Sequence, residues 1–215
     1  MESKWVLARH GETAANAAGL WQGAEDEGLT ARGIRQAQAL ARRLASEYPA
    51  AMAIYSSPLY RARQTAEIIQ AALPYLSLHL HPGLVEYNLG DWVGLSPAVL
   101  RNEYHLWEKM AADPDFAPPG GESPRHFAQR ILVALQEITE AHIGSTIIIV
   151  SHSGVIATAL ALFLHGDGSR WTDYDLANAA FSVLAVGEQP RLLCHNETGH
   201  LADIGSTMWT MQDNK

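Results

Sequence analysis

The chain has 215 residues, which suits one domain or one domain with a lid. A formal net charge of -8 argues against general nucleic-acid binding, so any phosphate site must be a local cluster of cations in an acidic protein. Cys194 is the only cysteine, which excludes a disulfide framework and a thiolate metal cluster.

No apolar run approaches the ~18–20 residues of a membrane span. The N-terminus also lacks a basic segment followed by a long apolar run, so a cytoplasmic protein is expected. Lys4 to Leu7 is short and mostly apolar and reads as a buried strand running into Arg9-His10. Gly11 is expected to let the backbone turn sharply where a side chain would obstruct it. A strand ending in a cation, an imidazole and a glycine sets a nucleophile or base beside a fixed positive charge, which suits phosphate. Taken alone, the pair is better read as a strand end facing water. Similar constellations further along favour the chemical reading.

Thr13 to Gly28 reads as an irregular loop interrupted by Trp21, Gln22 and Gly23. Thr30 supplies an N-cap, and Ile34, Ala37, Ala41, Leu44, Ala45 and Tyr48 follow at helical spacing until Pro49. Ala51 to Tyr55 is the second strand. Ser57-Pro58 reads as a cap followed by a proline at the first helical position, with Ala62, Thr65, Ala66, Ile69 and Ala72 as the buried stripe. Tyr75 to Leu80 is a third strand, with Leu76, Leu78 and Leu80 on one face. Short helical pieces around Ala98 to Met110 precede a loop rich in Pro and Gly, Asp113 to Gly121. Residues 87–121 are therefore a candidate lid or specificity insertion within a single domain spanning 1–215.

Ser123-Pro124 opens another helix, with Phe127, Ile131, Leu135 and Ile138 inward and Gly144 beyond its end. Thr146 to Val150 is a continuous β-branched run, as in a central parallel strand, and Gly154 to Leu164 is the following helix. Phe181 to Val186 and Arg191 to His195 read as two final strands paired through Gly187 to Pro190, and the last dozen residues as a tail. The alternation implies a three-layer α/β/α sandwich with a mostly parallel central sheet.

In such a sheet, ligands bind beyond the carboxyl ends of the strands. Arg9-His10, Arg61 and Ser151-His152 all fall there, and the helix N-termini near Ser57 and Gly154 would add backbone donors for a phosphate.

Arg9-His10-Gly11-Glu12-Thr13, Ser57-Pro58-Leu59-Tyr60-Arg61-Ala62-Arg63-Gln64-Thr65-Ala66 and Val150-Ser151-His152-Ser153-Gly154 together resemble the histidine phosphatase superfamily, the phosphoglycerate-mutase-like group. The resemblance takes in Asn16, Gln22-Gly23, Leu29-Thr30, Gly33, Gln36-Ala37, Pro119 to Ser123 and Asn196 to Leu201, in order along almost the whole chain. It implies a phosphoglycerate-mutase-like fold and an activity needing neither metal nor cofactor. It also implies that His10 attacks phosphorus and is transiently phosphorylated, which splits the transfer into two displacements. Arg9 and Arg61 would hold the non-bridging oxygens, and His152 would donate a further hydrogen bond. Those cations are expected to disfavour protonation of His10. Asn16, Gln22, Gly23 and Ser153 match substrate-binding positions, although Asn16 and Gln22 could equally bond their own loop.

By the same resemblance Glu86, in Leu84 to Trp92, is the general acid for the leaving oxygen, with Asp91 its rival and Glu12 structural. The departures from the family pattern are Val93, where Glu is frequent, and Ser153, where Gly is frequent. His79 and His81 have a spacing that could bind a metal, but no third ligand is evident.

The leading reading is a phosphomonoesterase acting on a small phosphorylated metabolite. A cofactor-dependent phosphoglycerate mutase comes second. Its Arg-Arg pair after a tryptophan finds only Glu108-Lys109 after Trp107 here. A serine esterase fits poorly, since Ile149 and Val155 stand where a nucleophile elbow needs small residues. A non-catalytic phosphate-binding module would not need both His10 and Glu86. The sequence sets no oligomeric state.

Overall fold

The computed structural model describes residues 2–23 and 27–207. β1 (Ser3–Arg9) opens the chain and runs two residues further than the apolar pattern suggested, carrying Arg9 inside the strand. The loop after it contains one helical turn, α1 (Ala14–Ala17), closed by a capping box between Thr13 and Asn16. Thr30 caps α2 (Ala31–Glu47) by accepting from Gly33 N, as its position predicts. β2 (Ala53–Ser56) then leads to α3 (Tyr60–Ala72).

Ser57 is not the helix cap, because Leu59 holds that position and makes no side-chain cap bond. β3 (Ser77–Leu80) is an edge strand, so of the predicted face Leu76 is buried, Leu78 half-buried and Leu80 exposed. The expected helical pieces follow as α4 (Pro97–Asn102) and α5 (Leu106–Ala112). α6 (Pro124–Ala141) is capped by Ser123 and buries Phe127, Ile131, Leu135 and Ile138. β4 (Thr146–Ser151), α7 (Ser153–His165), β5 (Phe181–Val186) and β6 (Arg191–Glu197) complete the order. The six strands form one sheet, β3-β2-β4-β1-β5-β6. Pairing is parallel from β3 to β1 and antiparallel across β5 and β6.

Alternation along β1 divides the core. Trp5 and Leu7 pack with α6 and α7 on one face, while Val6 and Ala8 pack with α2 and α3 on the other. Both faces are covered, which is why the central strands carry continuous apolar runs. Gly11 stands, as expected, where a side chain would obstruct the backbone, although its φ is not positive. It is needed for space. A Cβ there would lie 2.5 Å from the carbonyl oxygen of Gly33, so α2 could not pack its first turn against the loop after β1.

The expected tail, the last dozen residues, lies mostly outside the described residues, which end at 207. Before that the chain is tied down. Gln36 donates to Gly205 O at 3.0 Å, Asn178 N donates to Thr207 O at 2.8 Å, and Thr207 Oγ1 donates to Glu12. No helix among the described residues is long and apolar enough to cross a membrane.

Candidate active site

Strand register brings the two histidines together. β1 and β4 pair in parallel up to Arg9 opposite Ser151, so His10 and His152 leave neighbouring strands in step. His10 N donates to Ser151 O at 3.0 Å, and the two rings lie 5.1 Å apart between centroids. Ser57 N bonds Val150 O at 3.0 Å at the end of β2, and the first turn of α3 then delivers Arg61.

All four side chains are buried, with Arg61 only 1% exposed. Arg9 Nη1 donates to Leu176 O at 2.5 Å and Arg61 Nη2 to Gly23 O at 2.6 Å. Burial lowers Arg9 to about 10; Glu86 and Asp175 oppose that shift, and Arg61 adds to it. The guanidinium therefore stays charged at neutral pH.

His10 Nδ1 faces Gly11 O at 2.8 Å. A carbonyl only accepts, so Nδ1 carries the hydrogen and Nε2 keeps its lone pair. Burial first, then the charges of Arg61 and Arg9, hold His10 well below the ordinary imidazole value. His152 is lowered in the same way, by burial and then Arg61, His10, Arg9 and Arg130. Its Nε2 pairs with Ser57 Oγ at 2.8 Å, and its Nδ1 is buried with no hydrogen-bond partner among the described residues.

Burial also lowers His142, His195 and His200. A histidine held neutral by the fold gains a proton on unfolding as the pH drops through its unfolded value of about 6.5. Below that value the unfolded chain binds more protons, so folding stability must fall with pH. The urea midpoint is expected to drop between pH 7.5 and pH 5.5. A midpoint that rises over that interval would contradict the buried neutral imidazoles.

Glu86 is buried, and both carboxylate oxygens are fastened by backbone. Oε1 accepts from Tyr87 N at 2.8 Å and Oε2 from Gly154 N at 3.0 Å. This corrects the expectation that the start of α7 would offer Gly154 N to a phosphate: that donor holds Glu86 instead. A Cβ at Gly154 would collide with Glu86 Oε1, so a larger residue there would push the carboxyl group from this position.

The segment carrying Glu86 is held from behind by Arg130 of α6. Its Nη1 donates to Gly83 O and Val85 O at 3.0 and 2.6 Å, and Nη2 to Glu86 O at 3.1 Å. It also grips Glu122 through Nε and Nη2 at 2.9 and 2.7 Å. Glu122 in turn receives Asn88 N at 2.8 Å. Sequence reading missed Arg130, because a cation on an amphipathic helix gives no sign that three carbonyls converge on it.

These groups open on a cleft of about 790 Å³, its mouth included, which Arg9, His10, Arg61 and Glu86 line with the predicted Asn16, Gln22, Gly23 and Ser153. Asn16 Oδ1 is taken up within the protein, by Thr13 N at 3.2 Å and Asn178 Nδ2 at 2.9 Å. Gln22 Oε1 accepts from Thr13 Oγ1 at 2.9 Å, while its Nε2 is a buried donor with no hydrogen-bond partner among the described residues. Of residues 87–121 only Pro97 reaches the lining; the outer wall instead comes from Leu20, Trp21, Trp171 and Asp175. The insertion supports that wall indirectly, through Trp107, whose ring lies tilted against that of Trp21 at 5.9 Å between centroids.

Asp91 and Phe116 lie outside the cleft, and Phe116 packs 6.1 Å from Trp92. Glu12 receives Thr30, Thr207 and Arg32, a structural set as expected. His81 is engaged at both nitrogens, by Gly83 N and Glu137, and His79 stacks on Tyr55. His195 pairs with Ser182 and His200 with Ala179 O, so neither reaches the site. Asn178 was missed. Its Nδ2 bonds His10 O at 3.2 Å as well as Asn16, which ties the loop after β1 to the segment before β5. A lone amide inside Leu176 to Ala180 is the signal that could have found it.

Comparison with known proteins gives consistent relations. A family model described as histidine phosphatase superfamily (branch 1) matches residues 5–198. A phosphoglycerate mutase-like protein 4 of Arabidopsis thaliana is 36% identical over 189 residues, covering 78% of this chain and 81% of that one. A metal-independent phosphoserine phosphatase of the same plant is 33% identical over 205 residues, covering 93% and 84%. The crystal structure of a phosphoserine phosphatase mutant from Entamoeba histolytica, in complex with phosphoserine, superposes with a TM-score of 0.80. It is 29% identical and covers 93% of this chain and 99% of its own.

Proposed function

Since the chain belongs to the histidine phosphatase superfamily, branch 1, and is a small-metabolite phosphatase, we infer that it acts through a phosphohistidine at His10 without a metal. The observation that carries this reading is the tautomer. With Nδ1 committed to Gly11 O, the Nε2 lone pair is available at neutral pH beside two fixed cations.

In the first displacement Nε2 bonds to phosphorus and the ester P–O bond breaks, while Glu86 passes its proton to the leaving oxygen. Arg9 and Arg61 take the non-bridging oxygens, whose charge grows in the transition state, and the Nδ1 of His152 and Nε2 of Gln22 contribute further hydrogen bonds. In the second displacement water attacks, Glu86 recovers a proton from it, and the P–N bond breaks. The whole chain acts as one catalytic domain.

Mutase chemistry stays the second reading, but the lysine that stands in place of one arginine of the mutase pair is engaged elsewhere. Lys109 Nζ lies 5.6 Å from the Trp92 ring centre and 5.5 Å from that of Phe116.

Arg61→Ala is expected to lower kcat/KM by roughly a hundredfold or more, as for other lost charge-stabilising donors. Vanadate should inhibit the unmodified enzyme and chelators should not. Activity lost to a chelator and restored by a divalent metal would overturn the metal-free mechanism. Phosphorus NMR showing 3-phosphoglycerate turned to 2-phosphoglycerate faster than inorganic phosphate appears would make the chain a mutase.

A further inference from the structure

We propose that Thr13 is a positioning residue of the phosphate pocket. It turns the carboxamides of Asn16 and Gln22 so that each presents its NH₂ to the cleft and keeps its carbonyl oxygen away from the phosphate. The proposal rests on the reading of the cleft as a phosphate site and goes beyond it, to what makes two ambivalent side chains act as donors.

A carboxamide carries a donor at one end and an acceptor at the other, in nearly the same shape. Facing a phosphate dianion, the NH₂ end attracts and the carbonyl end repels. The direction of each amide therefore decides whether it helps or hinders binding. Asn16 and Gln22 both line the cleft, and the buried Thr13 bonds each of them.

For Asn16 the main chain sets the direction. Thr13 N lies 3.2 Å from Asn16 Oδ1, and an N–H only donates, so the amide must turn its oxygen inward. Asn178 Nδ2 donates to the same oxygen at 2.9 Å and is itself fixed by His10 O, an acceptor. Nδ2 is the end of Asn16 that remains for the cleft.

For Gln22 the hydroxyl sets the direction. Thr13 Oγ1 accepts from Asn16 N at 3.2 Å and donates to Gln22 Oε1 at 2.9 Å. Turned the other way, Gln22 would bring a second N–H to that oxygen and leave the buried hydroxyl hydrogen without an acceptor, a costly arrangement. As it stands, Gln22 Nε2 is a buried donor with no hydrogen-bond partner among the described residues. A phosphate oxygen is the acceptor it lacks. One residue thus orients both amides, through two different polar groups.

Inorganic phosphate is the probe, titrated calorimetrically against the unmodified enzyme and its variants. Thr13→Val keeps the shape and deletes the hydroxyl, and should weaken phosphate binding by about tenfold, the scale of one hydrogen bond to a charged group. Thr13→Ser keeps the hydroxyl and loses a buried methyl, and should bind phosphate almost as the unmodified enzyme does. A packing role alone predicts the opposite order. In a Gln22→Leu background Thr13→Val should cost much less, because the amide it directs is gone. Asn16→Asp exchanges the NH₂ that faces the cleft for a carboxylate oxygen and should remove measurable binding.

Equal losses from Thr13→Val in both backgrounds, a Thr13→Ser loss as large as that of Thr13→Val, or undiminished binding by Asn16→Asp would overturn the proposal. If Thr13→Val does not fold, Gln22→Leu alone decides: weakened phosphate binding supports the proposal, and unchanged binding removes the donor that Thr13 aims. Hydrolysis of an aryl phosphate by the unmodified enzyme is read separately. Binding in the expected order without hydrolysis keeps Thr13 in its role and removes the phosphatase reading, and hydrolysis with equal losses in both backgrounds does the reverse.

Discussion

Turnover by His10→Ala should be lost almost completely, with kcat down by about 10⁴-fold or more, since removing a covalent nucleophile deletes the reaction path and not one contact. A rapid quench of the unmodified enzyme during turnover should trap phosphate on His10 as a phosphoramidate, stable in alkali and labile in acid. The reason is local. His10 follows the last paired residue of a buried strand, its Nδ1 is tied to Gly11 O, and Asn178 holds its own carbonyl. The ring thus has one nitrogen for structure and one for chemistry. Undiminished turnover in His10→Ala, or label recovered on another residue, would sink the assignment.

Glu86→Gln should lose roughly 10²- to 10⁴-fold on alkyl phosphates, the span of general acid–base contributions, and much less on an aryl phosphate whose leaving group needs little protonation. The two backbone donors that hold Glu86 complicate this variant, because a glutamine offers its NH₂ where one of them requires an acceptor. Arg130→Lys separates position from chemistry. It leaves the carboxyl group intact but cannot reproduce a fork that reaches three carbonyls and Glu122. A smaller loss with the same alkyl-over-aryl signature is expected. Equal losses on both ester types in both variants would move Glu86 from proton donor to binding group.

The elements whose burial is periodic were legible in the sequence. Ser123-Pro124 and the stripe from Phe127 to Ile138 describe α6 as it stands, and β5 falls on its predicted residues. What failed were assignments in which one group had two possible partners. Ser57 reads as a cap by composition, yet its hydroxyl serves His152, so α3 starts later. Gly154 N reads as an anion donor, yet Glu86 claims it. The site shows the same division. His10, Arg9, Arg61 and His152 lie at strand or helix ends, where periodicity breaks visibly. Arg130, Asn178 and Asp175 reach the site only through tertiary packing, and no local pattern announces that.

The position of β1 in the sheet has a further consequence, for the order in which the molecule can be made. The strand that ends at Arg9 comes early in the chain, yet its neighbours are β4 and β5: Lys4 waits for Thr146, and Ser3 for Val186. Closing such distant pairs costs loop entropy before any contact repays it, so topologies of this kind fold slowly. Until β5 is in place, Trp5, Val6 and Leu7 form an apolar strand with an open edge, the usual starting point for aggregation. Regain of phosphatase activity should therefore trail the regain of helical signal during refolding, and a chain cut before β5 should possess the whole of Arg9-His10 and Arg61 and yet catalyse nothing.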